Sequence, residues 1–148
     1  MTANLRKSEA VILDTSLLVA GLRSHTGASA ELLRLGLRGD FAIAASIAIF
    51  LEYEEVLQRE EQRLVHRRTW NQVDLFLRVL ARRIVPVDIH FSWRPQLRDA
   101  NDEMVPDAAI AGEVKAIVTH NAKDFLPAAT SCGIGILTPS QFLSEVRA

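Results

Sequence analysis

Five short apolar runs alternate with longer segments of helical pattern, and this alternation limits the folds that the chain can adopt. The runs are rich in Val, Ile and Ala, and they lie at residues 10–14, 41–46, 84–87, 116–119 and 133–137. Short buried strands separated by helices pair in parallel, because each helix carries the chain back across the sheet. The pattern therefore predicts an α/β fold, a three-layer α/β/α sandwich with a mostly parallel central sheet.

Residues typical of helix starts follow several of these runs. Ser46 can cap a helix after the second run. Thr69 and Gln72 match a capping box, in which the two side chains satisfy each other's backbone N–H groups. Thr138 is placed to cap a terminal helix. Pro86 lies inside the third run and predicts an edge strand or a short one, because proline donates no hydrogen bond to a sheet.

Size and composition exclude several classes of protein. We expect residues 1–148 to form one domain, since 148 residues suit a single core. The net charge of −1 offers no overall attraction to nucleic acid, so an RNA contact would need a local patch. Cys132 is the one cysteine, which excludes an internal disulfide and a zinc site built from cysteines. No apolar run approaches the roughly 20 residues of a membrane-spanning helix, and we expect a cytoplasmic protein with no membrane contact.

Oxygen-bearing side chains recur beside the predicted strand ends. In open α/β sheets, ligands bind just outside the carboxyl ends of the strands. Clustered carboxylates without Cys or His partners suit Mg²⁺ or Mn²⁺, and a bare cluster would repel itself unless a cation or protons neutralised it. The side chains in question are Asp14, Glu52, Asp102, Glu103, Asn121 and Asp124.

Each of these acids also has a purely structural explanation. Asp14 can cap the first helix, and Glu52 lies among glutamates that ordinarily pair with nearby arginines. Asp102 and Glu103 suit the start of a helix, where the dipole favours negative charge. Asp124 can cap the segment after a turn. These explanations stay open residue by residue, but they do not predict that all the acids fall at one edge of the sheet.

Four segments, in this order, resemble the PIN domain, and within it the VapC-like toxins of toxin–antitoxin systems. They are VILDTSLLVAGLRS, SIAIFLEYEEVL, WRPQLRDANDE and AIVTHNAKDF. The resemblance extends from Val11 to the TPSQFL segment near the C-terminus. It implies a single PIN-like domain that hydrolyses RNA phosphodiester bonds with Mg²⁺ or Mn²⁺. It also implies an antitoxin partner and a homodimer.

The resemblance assigns roles by position. It implies catalytic acids at Asp14, Glu52, Asp102 and Asp124. It implies metal ligands at the same four acids and at Glu103 and Asn121. Ser16 and Thr119 are candidates for hydrogen bonds to a carboxylate or to the scissile phosphate. Arg94 and Arg98 lie within the third segment, beside the site loop, where their planar guanidinium groups suit RNA phosphates.

The sequence departs from the family pattern at several positions. Asn121 stands where Asp is often found, so a fourth carboxylate has to come from Asp124 or be absent. Glu103 stands in place of a second Asp. Val105, Pro106, Asp107 and Ala108 follow where Leu-Glu-Leu-Ala is usual, and proline is tolerated only in the first turn of a helix. We therefore expect the helix of this segment to start late.

Three other functions are weighed against the nuclease. A PIN-like module that binds RNA or a protein without cleavage is motivated by Asn121 and Pro106. A haloacid-dehalogenase-type phosphatase needs a second Asp two residues after the first, where this chain has Ser16. A receiver domain, which needs a phosphorylatable Asp after its third strand and a late lysine, is not favoured.

Overall fold

The computed structural model describes residues 9–89 and 104–148. Within these ranges five strands form one sheet, in which every neighbouring pair is parallel and the strand order is β3-β2-β1-β4-β5. The strands are β1 (Val11–Leu13), β2 (Ile43–Ala45), β3 (Ile84–Pro86), β4 (Ala116–Val118) and β5 (Gly135–Leu137). Each predicted strand is present, shortened by one to three residues.

Helices cover both faces of the sheet. They are α1 (Thr15–Arg23), α2 (Ala28–Arg38), α3 (Ile47–Leu57), α4 (Glu60–His66), α5 (Trp70–Arg83), α6 (Met104–Gly112), α7 (Ala122–Cys132) and α8 (Pro139–Arg147). Helices α1 to α5 and α8 form one connected group, while α6 and α7 pack together and against β4 and β5. The predicted three-layer α/β/α sandwich is confirmed. None of the helices in the described ranges has the length and apolar character needed to cross a bilayer.

The core explains why the strands are continuous apolar runs. All three residues of β1 are buried, and so are those of β2 and β4, because helices cover these strands on both sides. Leu17 and Leu18 of α1 are fully buried as well. Each such side chain contributes about 1.5–3 kcal/mol relative to exposure. This burial fixes β1 at the centre of the sheet, and the residue that follows β1 is Asp14.

The local signals in the sequence act as predicted. The Ser46 hydroxyl accepts a hydrogen bond from the Ile49 N–H at 3.2 Å, which caps α3. Thr69 and Thr138 each form a complete capping box, at α5 and α8 respectively. Pro86 ends β3, which lies at the edge of the sheet.

The expected late start of α6 is wrong. The helix includes Met104 and Val105, so that Pro106 lies in its first turn. A proline is tolerated there because the first N–H groups of a helix have no acceptor within the helix. As a result Asp107 also lies in the first turn, and it is buried.

Candidate functional site

The strand order places a crevice between β1 and β4. From β1 the chain proceeds outward to β2 and β3, and it then returns to the other side of β1 as β4. The carboxyl ends of two strands that diverge in this way form the usual ligand site of an open α/β sheet. Leu13 pairs with Val118, so the next residues, Asp14 and Thr119, meet at that edge.

Asp14 occupies the N-cap position of α1, but its side chain does not cap the helix. The backbone is extended, with φ −67° and ψ 149°, and the side chain accepts no hydrogen bond from the N-terminal N–H groups of α1. Instead the carboxylate oxygen Oδ2 accepts hydrogen bonds from Ser16 Oγ at 2.6 Å and from Thr119 Oγ1 at 2.8 Å. The capping explanation of Asp14 is therefore wrong, and the carboxylate faces β4.

Backbone N–H groups orient the two hydroxyls that hold Asp14. The His120 N–H donates to Ser16 Oγ at 3.2 Å, and the Asn121 N–H donates to Thr119 Oγ1 at 2.9 Å. A hydroxyl has one proton to donate, and an N–H at its oxygen leaves that proton free to point elsewhere. Both protons are thereby directed at Asp14. Ser16 and Thr119 thus both donate to a carboxylate, and their contact with the scissile phosphate stays a prediction.

Glu52 reaches the same region from α3, the helix after β2. Its oxygen Oε2 accepts a hydrogen bond from Thr15 Oγ1 at 2.7 Å, and Thr15 is only 8% exposed. The ordinary pairing with an arginine is made by a neighbouring residue, since Glu55 binds Arg59 at 2.9 Å one helical turn away. Glu52 is therefore tied to α1 rather than to an arginine that follows its own helix.

Tyr53 lies beneath these two acids. Its side chain is fully buried, and its hydroxyl donates a hydrogen bond to the carbonyl oxygen of Leu13. Burial raises the pKa of Tyr53 well above its usual value, and the negative charges of Asp14 and Glu52 raise this pKa further. The phenol therefore stays protonated at neutral pH and serves as a permanent hydrogen-bond donor.

Each of the two carboxylates is anchored through one oxygen. Among the described residues, none donates a hydrogen bond to Oδ1 of Asp14 or to Oε1 of Glu52. The polar atoms gathered here are carboxylate and hydroxyl oxygens. Hard cations such as Mg²⁺ and Mn²⁺ prefer oxygen ligands, so the chemistry of this donor set fits them and does not fit a soft ion.

The remaining predicted ligands are only partly described. Asn121 and Asp124 are exposed at the start of α7, where the Asp124 N–H donates to the Asn121 carbonyl oxygen at 3.0 Å. In residues 9–89 and 104–148, no three or more His, Cys, Asp or Glu side chains come close enough together to hold a metal ion. Asp102, Glu103, Arg94 and Arg98 lie outside these ranges. The complete ligand set and the RNA contacts therefore stay predictions.

Two residues of this region are absent from the sequence-based prediction. Asp107 is 7% exposed on α6, a helix that contacts both α3 and β4. The available signal is an acid within the otherwise apolar stretch MVPDAAIAG. Thr15 has no such signal, because a threonine after an acid is equally typical of a helix start. Its contact with Glu52 spans 37 positions of the chain and depends on the fold.

Comparisons with known proteins agree with this geometry. A family model described as PIN domain matches residues 10–123. Among the solved structures, one similar to this chain is "Crystal structure of VapBC2 from Rickettsia felis bound to a DNA fragment from their promoter". It is 16% identical, with a TM-score of 0.58, and the match covers 87% of this chain and 98% of that chain. At this identity the likeness shows the fold. Among curated protein sequences, none matches this chain.

Proposed function

The chain belongs to the PIN-domain family, whose model matches residues 10–123 of its 148, and from this we infer that it is a metal-dependent endoribonuclease. Proteins of this family are generally nucleases. The observation that carries the proposal is the pair of carboxylates at the crevice between β1 and β4, where Asp14 and Glu52 are each held by hydroxyls through a single oxygen. That arrangement leaves a second oxygen of each acid to face a ligand.

The residues of the site would divide the work as follows. Asp14 would be the central ligand of the cation, and Glu52, Asp102, Glu103, Asn121 and Asp124 would complete the set directly or through water. A divalent cation would lower the pKa of a water molecule and offset the charge that builds up on the phosphate. Ser16 and Thr119 hold the Asp14 carboxylate in one orientation, as hydrogen-bonding partners of metal ligands commonly do. Arg94 and Arg98 would bind the RNA backbone.

We also propose that the protein is the toxin of a toxin–antitoxin pair. The four sequence segments that resemble VapC-like toxins support this proposal, as does the fold shared with the VapBC2 structure. It implies an antitoxin as protein partner, a homodimer and action on RNA in the cytoplasm. Co-expression tests it directly, because a neighbouring antitoxin gene should restore the growth of cells that express the chain.

A second candidate is a PIN-like module that binds RNA or protein without cleavage. It is favoured by the neutral amide at Asn121 and by the exposure of both Asn121 and Asp124, which leaves the third and fourth ligands undecided. The two candidates differ in one measurable respect, since only the nuclease converts RNA to shorter products.

The test is cleavage of a fluorescently labelled RNA by purified protein. We expect cleavage that stops with EDTA and returns when Mn²⁺ is added in excess. Asp14→Asn should abolish it while the circular dichroism spectrum stays that of the wild type, because the amide keeps the size of the side chain but removes its charge. Undiminished metal-dependent cleavage by Asp14→Asn would remove Asp14 from the mechanism. RNA binding without cleavage by the wild type would favour the module.

A further inference from the structure

The two residues that flank Asp14 in sequence are both tied to α3. Before it, the Leu13 carbonyl oxygen accepts the hydrogen bond of Tyr53. After it, Thr15 Oγ1 donates to Glu52 Oε2 at 2.7 Å. Glu52 and Tyr53 are adjacent on α3, so two consecutive residues of one helix are attached on either side of Asp14. Thr15 is 8% exposed and Tyr53 is fully buried.

We propose that Thr15 and Tyr53 are positioning residues that set the separation of the Asp14 and Glu52 carboxylates before a cation binds. This inference rests on the proposed function, because it concerns the same metal site. Tyr53 fixes the backbone of α3 against β1, and Thr15 fixes the end of the Glu52 side chain. Neither residue contacts the cation or the substrate in this account.

Electrostatics favours such attachments. Two carboxylates that serve one site repel each other, and a long glutamate side chain is free to turn toward water unless a donor holds it. The donors that oppose this motion are uncharged hydroxyls.

The Thr15 hydroxyl has no other task in the helix. The residue is the first of α1, where the backbone needs no side-chain donor, and its hydroxyl donates to Glu52. Thr15→Val keeps the shape and removes this donor, while Thr15→Ser keeps the donor. If Thr15 were only a packing residue, the valine variant would be the milder change.

The experiment measures Mn²⁺ affinity by electron paramagnetic resonance, with the full-length protein and without RNA. We expect Thr15→Val to weaken Mn²⁺ binding roughly tenfold or more, as loss of a hydrogen-bonding partner of a metal ligand commonly does. Thr15→Ser should restore binding to nearly the wild-type value. Thr138→Val is the matched control, because it removes a threonine hydroxyl that caps α8. It should lower thermal stability and leave Mn²⁺ affinity unchanged.

A double-mutant cycle shows whether Thr15 acts through Glu52. In the Glu52→Gln background, Thr15→Val should cause little further loss of Mn²⁺ affinity, because the carboxylate that it positions is already gone. Full additivity of the two losses would overturn the proposal, as would wild-type affinity in folded Thr15→Val. Should the valine variant fail to fold, Thr15→Ala enters the same cycle.

Tyr53→Phe tests the second attachment. It removes the hydroxyl but keeps the ring, and we expect a weaker Mn²⁺ affinity together with a lower melting temperature, because the buried Leu13 carbonyl loses its donor. A lower melting temperature with unchanged affinity would limit Tyr53 to stability and overturn its part of the proposal. A wild type that binds no Mn²⁺ is a different outcome, which removes the proposed function itself and this inference with it.

Discussion

Two strand-to-helix turns of this protein have the same backbone and use their side chains in opposite ways. At the turn from β5 to α8, Thr138 has an extended conformation and caps the helix with a complete capping box. At the turn from β1 to α1, Asp14 has nearly the same conformation, yet it makes no capping hydrogen bond and turns its carboxylate toward Thr119. Aspartate is among the best N-caps, so the difference does not come from residue type.

The comparison indicates where the molecule gives up local stability. A missing N-cap costs about 1 kcal/mol, and a protein accepts such a loss at a functional site and compensates for it elsewhere. The burial of Leu17 and Leu18 supplies the compensation for α1. An acid at an N-cap position that does not cap its helix and faces a crevice between strands therefore indicates a ligand site. This geometry is a stronger indication than the position of the acid in the sequence.

Asp14→Ser has the largest expected effect on this difference, because it would let the residue before α1 cap its helix as Thr138 caps α8. A serine there can accept the N–H bonds of α1 but offers no carboxylate to a cation. We expect RNA cleavage to fall by at least about 100-fold, since several kcal/mol of charge stabilisation are lost. The free energy of unfolding, measured with urea, should stay equal or rise. A clear loss of stability would mean that Asp14 mainly supports the fold.

Thr119→Val removes a hydrogen bond to the Asp14 carboxylate and leaves Asp14 itself unchanged. It removes one of the two hydroxyls that hold Asp14 Oδ2 and deprives the Asn121 N–H of its acceptor. We expect a loss of roughly 10- to 100-fold in Mn²⁺ affinity or cleavage. Thr119→Ser is the control and should recover most of this loss. Equal activity of the valine and serine variants would show that the hydroxyl has no role.

Thr138→Ala tests the other side of the comparison. It removes the capping hydroxyl of α8 and should lower the free energy of unfolding by about 1 kcal/mol in urea titrations. RNA cleavage by the folded protein should equal that of the wild type, since α8 packs mainly against α2 and β5 rather than against the helices that carry Asp14 and Glu52. Reduced cleavage at full folding would show that the two turns are not independent.

Most of the fold could be predicted from the sequence, because its signals are local. Each of these signals depends only on residues close to it in sequence. They are the apolar runs, the caps at Ser46, Thr69 and Thr138, and Pro86 at the sheet edge. The break between α3 and α4 could not be predicted, because residues 58 and 59 are Gln and Arg, and neither is a glycine or proline that would indicate the end of a helix.

The candidate site was predictable in part. The edge at which Asp14 lies follows from the end of the first strand, but the direction of its carboxylate does not. That direction depends on Thr119, which lies 105 positions away. Asp107 was missed because Pro106 suggested a late helix start, whereas the proline is accommodated in the first turn and places this acid in a buried position.

The smallest expected effect concerns Tyr53, which is the one tyrosine of the chain. Its pKa is raised in the folded protein by burial and by Asp14 and Glu52, so the folded state holds the proton more tightly than the unfolded state. The resulting stability is present below the unfolded pKa of about 10 and is lost as pH rises above it. Near-ultraviolet titration should detect phenolate only at higher pH than for free tyrosine, and somewhat earlier in Asp14→Asn. Ionisation of folded wild type near pH 10 would contradict this burial.

Pro86 has a consequence for how molecules of this protein meet each other. The N–H of the next residue, Val87, points inward to Ala45, so the side of Pro86 that lacks a hydrogen is the outer margin of the sheet. A strand from a second molecule would need a donor at that place to extend the sheet. Pro86 therefore disfavours the addition of further strands at this edge of the sheet, which is the step by which such proteins would grow into fibrils.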